Sequence, residues 1–345
     1  MAWSDLSFPE TIGAHGGVVR ALTLAMSLWM SACGGRAVVQ DGFVRGTVLT
    51  SWYGQQYQQP TTRATIRSLP DLGMNHVAVL ATWYQSSAYG ADIAPHPERT
   101  PEDDAVRYAL GQARDRGLRT VLKPHLDIAD GTWRGQIRAT DEELWFAAYA
   151  VFIQHYAVLA EEEGVNMLVV GTELAGMEHA DARWREVIRG VRETYHGEVV
   201  YGANWDTYER LTWWDAVDRV GVDAYFPLTS RLDPGQDALD AAWRGIARDL
   251  DGFADRVGRD VVLTEVGYQN RDGANISPWW AASTEPDPAE QAACLDAALR
   301  GIAGARRVGG ALLWKTSYDP ATDEDGFDMI NRPAGDVVKR WWAAD

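Results

Sequence analysis

Two glutamates stand at or near the ends of apolar runs and could act together as a carboxyl pair. Glu173 follows VVGT, and Glu265 follows VVLT. Two carboxyl groups on either side of a glycosidic bond can hydrolyse it, one by protonating the leaving oxygen and the other by attacking the sugar. A single glutamate at a strand end is most often an ion-pair partner, but two in matching positions favour a catalytic pair.

Eight short, β-rich runs must position these glutamates. They alternate with longer amphipathic stretches, which predicts parallel strands covered by helices on both faces. Eight such units predict the α/β class and a closed (β/α)₈ TIM barrel. The predicted strands are 44–52, 76–84, 119–128, 165–173, 198–205, 219–227, 260–268 and 308–317.

Five stretches have apolar residues at helical spacing. Asp141 is a plausible N-cap for the second of them, and Pro288 suits the first turn of the last. No glycine-rich phosphate loop follows the first strand, which disfavours a doubly wound sheet. The predicted helices are 103–116, 141–163, 181–195, 236–256 and 288–303.

Composition limits the partners of this chain. Its 345 residues carry a net charge of −17, which argues against nucleic acid as a partner because phosphate binding needs a basic face. The acidic balance suits a neutral or cationic substrate, or serves solubility alone. The 16 Trp and 13 Tyr supply aromatic faces on which sugar rings can stack, although such residues also fill cores.

The sequence predicts no metal site and no cofactor. The seven histidines are scattered, without an HExxH motif or paired Cys/His spacing. No GxSxG motif occurs, which disfavours a Ser-His-Asp hydrolase.

A resemblance to a known family comes from the third strand and the glutamate motifs. KPHLD at 123–127 and DGTWRG at 130–135, together with GTEL and TEVGY, resemble glycoside hydrolase family 113 over about residues 44–342. The family belongs to a clan of retaining barrel glycosidases whose catalytic glutamates lie on strands 4 and 7. The resemblance therefore implies that Glu173 is the acid/base and Glu265 the nucleophile.

The same resemblance implies hydrolysis of a β-linked glycan through a covalent glycosyl-enzyme intermediate, with β-1,4-mannan or manno-oligosaccharides as the leading substrates. Chitosan or another glucosamine-containing glycan is the alternative substrate. A non-catalytic sugar-binding surface lipoprotein is the alternative outside enzymes. Many clan members carry Asn before the acid/base, where it contacts the sugar 2-hydroxyl, whereas this chain has Thr172. The configuration preferred at C2 therefore stays open.

Other polar and aromatic residues at strand ends are candidate substrate ligands. Tyr225 could donate its hydroxyl to the Glu265 carboxylate, and Trp314 could support the sugar at the cleavage site. Lys123, His125 and Asp127 could bind hydroxyls or satisfy one another as an ion cluster. The remaining candidates for hydroxyl contacts and extended subsites are Asn204, Trp205, Trp52, Tyr53, Trp83 and Trp133.

Three tandem tryptophan pairs occur, at 213–214, 279–280 and 341–342. Neighbours on a helix do not share a face, so we expect one member of each pair in the core. The pair at 279–280 follows strand 7 and is the best placed to touch substrate.

The N-terminal segment predicts export. Ala21–Ala32 is an apolar run after Arg20, too short to span a bilayer but typical of a signal segment over residues 1–33. Ser31-Ala32-Cys33 resembles a lipoprotein processing site, so Cys33 is the predicted lipidation site, with translation starting near Val18 or Val19. Residues 34–345 would then form one barrel domain, secreted or held at the cell surface or in the periplasm by a lipid anchor. The anchor is the only membrane contact predicted, and the oligomeric state is left open.

Overall fold

Eight apolar strands form the centre of the computed structural model. They pair in parallel, each with the next along the chain, and β8 closes the sheet on β1. The predicted (β/α)₈ barrel is therefore confirmed. The strands are β1 Val44–Thr50, β2 His76–Gln85, β3 Arg119–Ile128, β4 Met167–Thr172, β5 Glu198–Asn204, β6 Arg219–Asp223, β7 Val261–Val266 and β8 Val308–Ser317.

In the part of the chain that the structure describes, seven α-helices surround the strands. Asp141 caps the third as predicted, its Oδ1 accepting from Leu144 N at 2.9 Å, and Pro288 begins the sixth. Two helices were not predicted, those that begin at Pro60 and Pro333. The helices are α1 Pro60–Ser68, α2 Asp103–Asp115, α3 Glu142–Glu162, α4 Asp181–Thr194, α5 Gln236–Val257, α6 Pro288–Gly304 and α7 Pro333–Trp342.

The structure describes residues 42–317, 319, 323 and 325–343. The predictions for the N-terminal segment, including Cys33, fall outside these residues. Within the described part of the chain, no helix is both long and apolar enough to cross a membrane.

The strands carry two apolar layers, one inside the barrel and one between the strands and the helices. Alternate strand residues such as Val121 fill the barrel, while the residues between them pack against the helices. Because side chains alternate along a strand, Lys123 and His125 share the interior face with Val121 and lie nearer the C-terminal mouth. The strand alternation thus brings charged groups into the barrel beside the glutamates.

The tryptophan pairs correct one expectation. Trp213 and Trp214 are both buried, whereas Trp279 and Trp280 are both exposed. The helical argument fails because residues 205–218 connect β5 to β6 through short 3-10 turns, without an α-helix. Only the pair at 341–342, on α7, buries one ring more than the other, as expected.

Candidate active site

Glu173 and Glu265 project from strands β4 and β7 at the C-terminal mouth of the barrel. Glu173 N donates to Gly202 O at 2.8 Å, which ties the glutamate to β5. The carbonyl of Glu265 accepts from Ala224 N at 2.7 Å, which ties it to the chain after β6. Both side chains are largely buried. The closed barrel therefore fixes the backbone on which each carboxyl group stands.

Glu265 has a hydrogen-bond donor on each carboxylate oxygen. Lys123 Nζ donates to Oε1 at 2.7 Å, and Tyr225 Oη donates to Oε2 at 2.6 Å. Burial raises the pKa of Tyr225 well above its ordinary value, so the phenol keeps its proton. These contacts orient the carboxylate, and the predicted bond from Tyr225 is present.

Glu173 has a different environment. Trp133 Nε1 and Arg134 Nη1 each donate to Oε2 at 3.1 Å, which leaves Oε1 available to carry a proton. Burial raises the pKa of Glu173, the Arg134 cation partly offsets this, and the nearby Glu265 charge adds to the rise. The arrangement suits a carboxyl group that holds and releases a proton.

Lys123, His125 and Asp127 form an ion cluster, which is one of the two alternatives expected for them. Lys123 also donates to Thr172 Oγ1 at 3.0 Å, and Arg134 Nη2 lies 3.0 Å from His125 Nδ1 and 2.7 Å from Asp127 Oδ1. Lys123 and His125 are both fully buried and face protein groups, and their alternative role as hydroxyl ligands stays a prediction. Burial, then the two cations, lower the pKa of His125 well below its usual value, so the ring is neutral.

The sequence reasoning missed the roles of Arg134 and Asp223. Arg134 stands inside the DGTWRG motif and joins Asp127 to Glu173. Asp223 ends β6, and its Oδ1 accepts from Thr264 Oγ1 at 2.7 Å. A Cβ on Gly202 would lie only 3.2 Å from Asp223 Oδ2, so this glycine makes room for the carboxyl group. Alternation along β6 could have located Asp223 in the interior.

Trp314, predicted to support the sugar at the cleavage site, and Trp52, a candidate for an extended subsite, lie on the interior side of the barrel. Both are half-buried and pack on the inner apolar layer of the barrel. The Trp314 ring is nearly parallel to His125, at 4° and a centroid distance of 6.0 Å. Trp133 is 44% exposed while its ring nitrogen contacts Glu173, so it spans from the carboxyl group to solvent. Exposed Tyr53 follows Trp52 in the chain.

A second aromatic surface lies on the β5 side of the mouth. Trp205 stacks on Trp279 with centroids 5.8 Å apart and an angle of 14°, and Phe226 meets the Trp205 ring at 5.8 Å. Asn204, predicted as a hydroxyl ligand, donates to Asp206 Oδ1 at 2.6 Å. Trp279 belongs to the tryptophan pair expected to be the best placed to touch substrate, and it extends the aromatic surface formed by Trp205.

Trp83 contacts helix α3. Its ring lies 5.4 Å from those of Phe152 and His155 on α3. Alternation along β2 points this half-buried residue outward to the helices, which favours packing, and its subsite role stays a prediction.

Within the described residues, three acidic side chains have carboxylate oxygens close enough together to share a cation. They are Asp272, Asp287 and Glu290. Both Glu290 oxygens already accept backbone amides, from Gly273 and Asn275 at 2.8 Å. The Glu290 carboxylate therefore stabilises the loop after β7.

Comparison with known proteins is consistent with this geometry. The family model of Glycoside Hydrolase Family 113 matches residues 49–331. The GH113 β-mannanase from Alicyclobacillus acidocaldarius, solved in complex with ManMIm, is 30% identical, with a TM-score of 0.80 over 88% of this chain and 98% of that one. A search of curated proteins returns no match.

Two further solved structures share the fold. A GH113 β-1,4-mannanase is 22% identical, with a TM-score of 0.80 over 88% of this chain and 99% of its own. A glycoside hydrolase family 5 mannosidase from Rhizomucor miehei is 15% identical, with a TM-score of 0.61 over 87% of this chain and 92% of its own. The family match covers most of the chain, so this protein belongs to glycoside hydrolase family 113 and is a glycoside hydrolase with a carbohydrate substrate.

Proposed function

We propose that the protein hydrolyses β-1,4-mannan or manno-oligosaccharides with retention of configuration, with Glu173 as acid/base and Glu265 as nucleophile. The observation that carries the proposal is the unequal setting of the two carboxyl groups. Glu265 accepts hydrogen bonds from Lys123 and Tyr225, while burial raises the pKa of Glu173. One group is therefore oriented for attack and the other suited to hold a proton.

In the first step, a Glu265 oxygen forms a bond to the anomeric carbon while the bond from that carbon to the glycosidic oxygen breaks. The proton of Glu173 passes to the departing oxygen, so the leaving sugar departs as an alcohol and a glycosyl ester remains on Glu265. In the second step, Glu173 takes a proton from water, the water oxygen bonds to the anomeric carbon, and Glu265 leaves as a carboxylate. Both residues return to their starting states.

Mannan as substrate is supported by the relative that is 30% identical and named a β-mannanase. Thr172 is compatible with this choice. Its Oγ1 accepts from Lys123 at 3.0 Å, and the hydroxyl keeps its own proton to donate. The net charge of −17 also suits a cationic glucosamine polymer, which makes chitosan the competing substrate.

The test is release of reducing ends from β-1,4-mannan and from chitosan by the wild type, Glu173→Gln and Glu265→Gln. We expect release from mannan that both substitutions reduce by at least about a thousandfold, since each removes a group that acts in the transition state. Faster release from chitosan would replace mannan as the substrate. Binding without release by the wild type would favour a non-catalytic sugar-binding protein.

For location, we propose export with lipidation at Cys33, which rests on the apolar segment Ala21–Ala32 and the Ser31-Ala32-Cys33 sequence. Mass spectrometry of the mature protein checks this. A lipid-modified N-terminal Cys33 is expected, and a mature chain that retains Met1 would contradict it.

A further inference from the structure

A buried carboxyl group lies close behind the proposed acid/base. Glu178 stands on the short segment between Glu173 and α4, and only 7% of its surface is exposed. Tyr201 of β5 donates its hydroxyl to Glu178 Oε1 at 2.9 Å. The same Tyr201 oxygen accepts from the amide of Leu174 at 3.2 Å. Two hydrogen bonds thus join Glu178 to the residue that follows Glu173.

These bonds hold an unusual backbone. Glu173 has a φ of +51°, in the left-handed region that a residue with a side chain rarely adopts. Such a conformation is strained and persists only where its surroundings fix it. The amide of Glu173 is held by Gly202 O, and the next amide, of Leu174, is held by Tyr201.

Packing fixes Tyr201 in turn. A Cβ on Gly171 would lie 2.5 Å from the Tyr201 ring, so this glycine lets the ring lie against β4. Burial, reinforced by Glu178, raises the pKa of Tyr201 well above its ordinary value, so its one proton stays on the oxygen. With that proton directed at Glu178, an oxygen lone pair is left to accept from Leu174.

We propose that Glu178 is a positioning residue for Glu173, which acts through Tyr201 on the backbone of the acid/base and through its charge on the acid/base proton. The proposal rests on the role of Glu173 proposed above. Glu178 touches neither the substrate nor Glu265.

The groups around Glu178 determine the sign of the charge effect. Glu173 faces it from the end of β4, Tyr201 from β5, and Asp206 and Thr207 from the turn after β5. Its neighbour in the chain, His179, pairs with Glu142 at the start of α3. Burial first, and then the like charges of Glu173 and Asp206, raise the pKa of Glu178 to about 7. Repulsion between two carboxylates acts on both of them, so an ionised Glu178 in turn opposes ionisation of Glu173 and keeps the acid/base protonated to higher pH.

The experiment is the pH profile of kcat/KM on a β-1,4-manno-oligosaccharide for the wild type and Glu178→Gln. Glutamine keeps an oxygen that can accept from Tyr201 but removes the charge. We expect the alkaline limb to move to lower pH by about one unit, the size typical of one like charge in a partly buried site. A limb that coincides with that of the wild type would overturn the proposal.

Glu290→Gln is the matched control, because Glu290 is also buried but binds amides of the loop after β7. We expect it to lower stability and leave the alkaline limb in place. If it moved the limb as far as Glu178→Gln does, the effect would not be specific to Glu178 and the proposal would fail.

Two further measurements separate the parts of the proposal. Tyr201→Phe breaks the connection to Leu174, so we expect kcat to fall about tenfold with KM nearly unchanged, as for one lost hydrogen bond to a positioned group. An unchanged kcat would remove the backbone role.

Thermal unfolding needs no substrate. Folding raises the pKa of Glu178 to about 7, so the protein is more stable while this carboxyl group is neutral. This contribution to the free energy of unfolding is fully present below about pH 4 and is lost as the pH rises through about 7. The wild type alone loses this contribution, so the melting temperature of Glu178→Gln should rise relative to that of the wild type between about pH 4 and pH 7. A difference in melting temperature that does not change with pH would contradict the burial of an ionised Glu178. If no glycan were hydrolysed, the proposed function would fail while this melting test could still succeed.

Discussion

Lys123 Nζ lies 2.7 Å from Glu265 Oε1 and 3.8 Å from Asp223 Oδ1, so one buried ammonium faces two carboxyl groups inside the barrel. All three side chains are almost completely removed from solvent. A buried charge needs a partner, and removing one member of such a group leaves the others uncompensated. The ammonium therefore contributes to stability and to the orientation of Glu265 at the same time.

Lys123→Met should lower both stability and activity. Loss of one partner from a buried ion pair costs about 3–5 kcal/mol, so we expect a lower melting temperature and a fall in kcat/KM of at least about a hundredfold. Differential scanning calorimetry and steady-state kinetics measure the two effects. Lys339→Met, at an exposed position of α7, should change neither, and a fully active Lys123→Met enzyme would contradict the role of the ammonium.

Tyr225→Phe should slow turnover without unfolding the protein. It removes the hydroxyl that donates to Glu265 at 2.6 Å, and a hydrogen bond to a charged group is worth about 1.5–3 kcal/mol, which corresponds to about a ten- to hundredfold loss in kcat. Tyr268→Phe is the matched control, because its buried hydroxyl accepts from Trp243 Nε1 at 2.8 Å, away from the carboxyl pair. Equal losses of kcat in the two variants would count against a specific role for Tyr225.

Arg134→Gln should move the alkaline limb of kcat/KM to higher pH. The Arg134 cation lowers the pKa of Glu173, so its removal raises that pKa further and keeps the acid protonated over a wider range. Asp127→Asn keeps the cation and should leave the limb near its wild-type position. A limb that moves to lower pH in Arg134→Gln would show that another group controls it.

Trp279→Ala should weaken binding of long substrates. Trp279 is 46% exposed and stacks on Trp205, so its loss removes part of an aromatic surface that a chain could cover. We expect KM for mannan to rise about tenfold, with little change for a short aryl glycoside, since stacking contacts contribute about 1 kcal/mol each.

Trp83→Phe provides the opposite pattern. Its ring packs on Phe152 and His155 of α3, so the substitution should lower the melting temperature by a few degrees and leave KM unchanged. A rise in KM without loss of stability would support the subsite role predicted for Trp83.

Much of the fold could be predicted because strands and helices leave periodic patterns. The predicted bounds of strands 3 and 8 agree with Arg119–Ile128 and Val308–Ser317. Helix α1 was missed because it is short and polar, PTTRATIRS, with Ile66 as its only large apolar side chain. The short turns around Trp213 and Trp214 were missed because their apolar residues do not recur at helical spacing. Both tryptophan rings are nevertheless buried in the core.

The site was predicted where position along a strand determines direction. Glu173, Glu265 and Tyr225 stand at strand ends and meet at the mouth as expected. The interior cluster was harder, since nothing in the sequence shows that Arg134 bridges Asp127 and Glu173 or that Glu178 reaches Tyr201. Those contacts depend on how loops return to the barrel, which local patterns do not encode.

The most direct test of the two-glutamate mechanism is peptide mapping by mass spectrometry after reaction with an activated 2-deoxy-2-fluoro mannoside. Such a reagent forms the glycosyl ester with the nucleophile, and this ester is then hydrolysed only slowly. The modified residue can therefore be identified. The account predicts one sugar on the peptide that contains Glu265, and no labelling of Glu265→Gln. A label on another residue, or labelling that persists in Glu265→Gln, would contradict it.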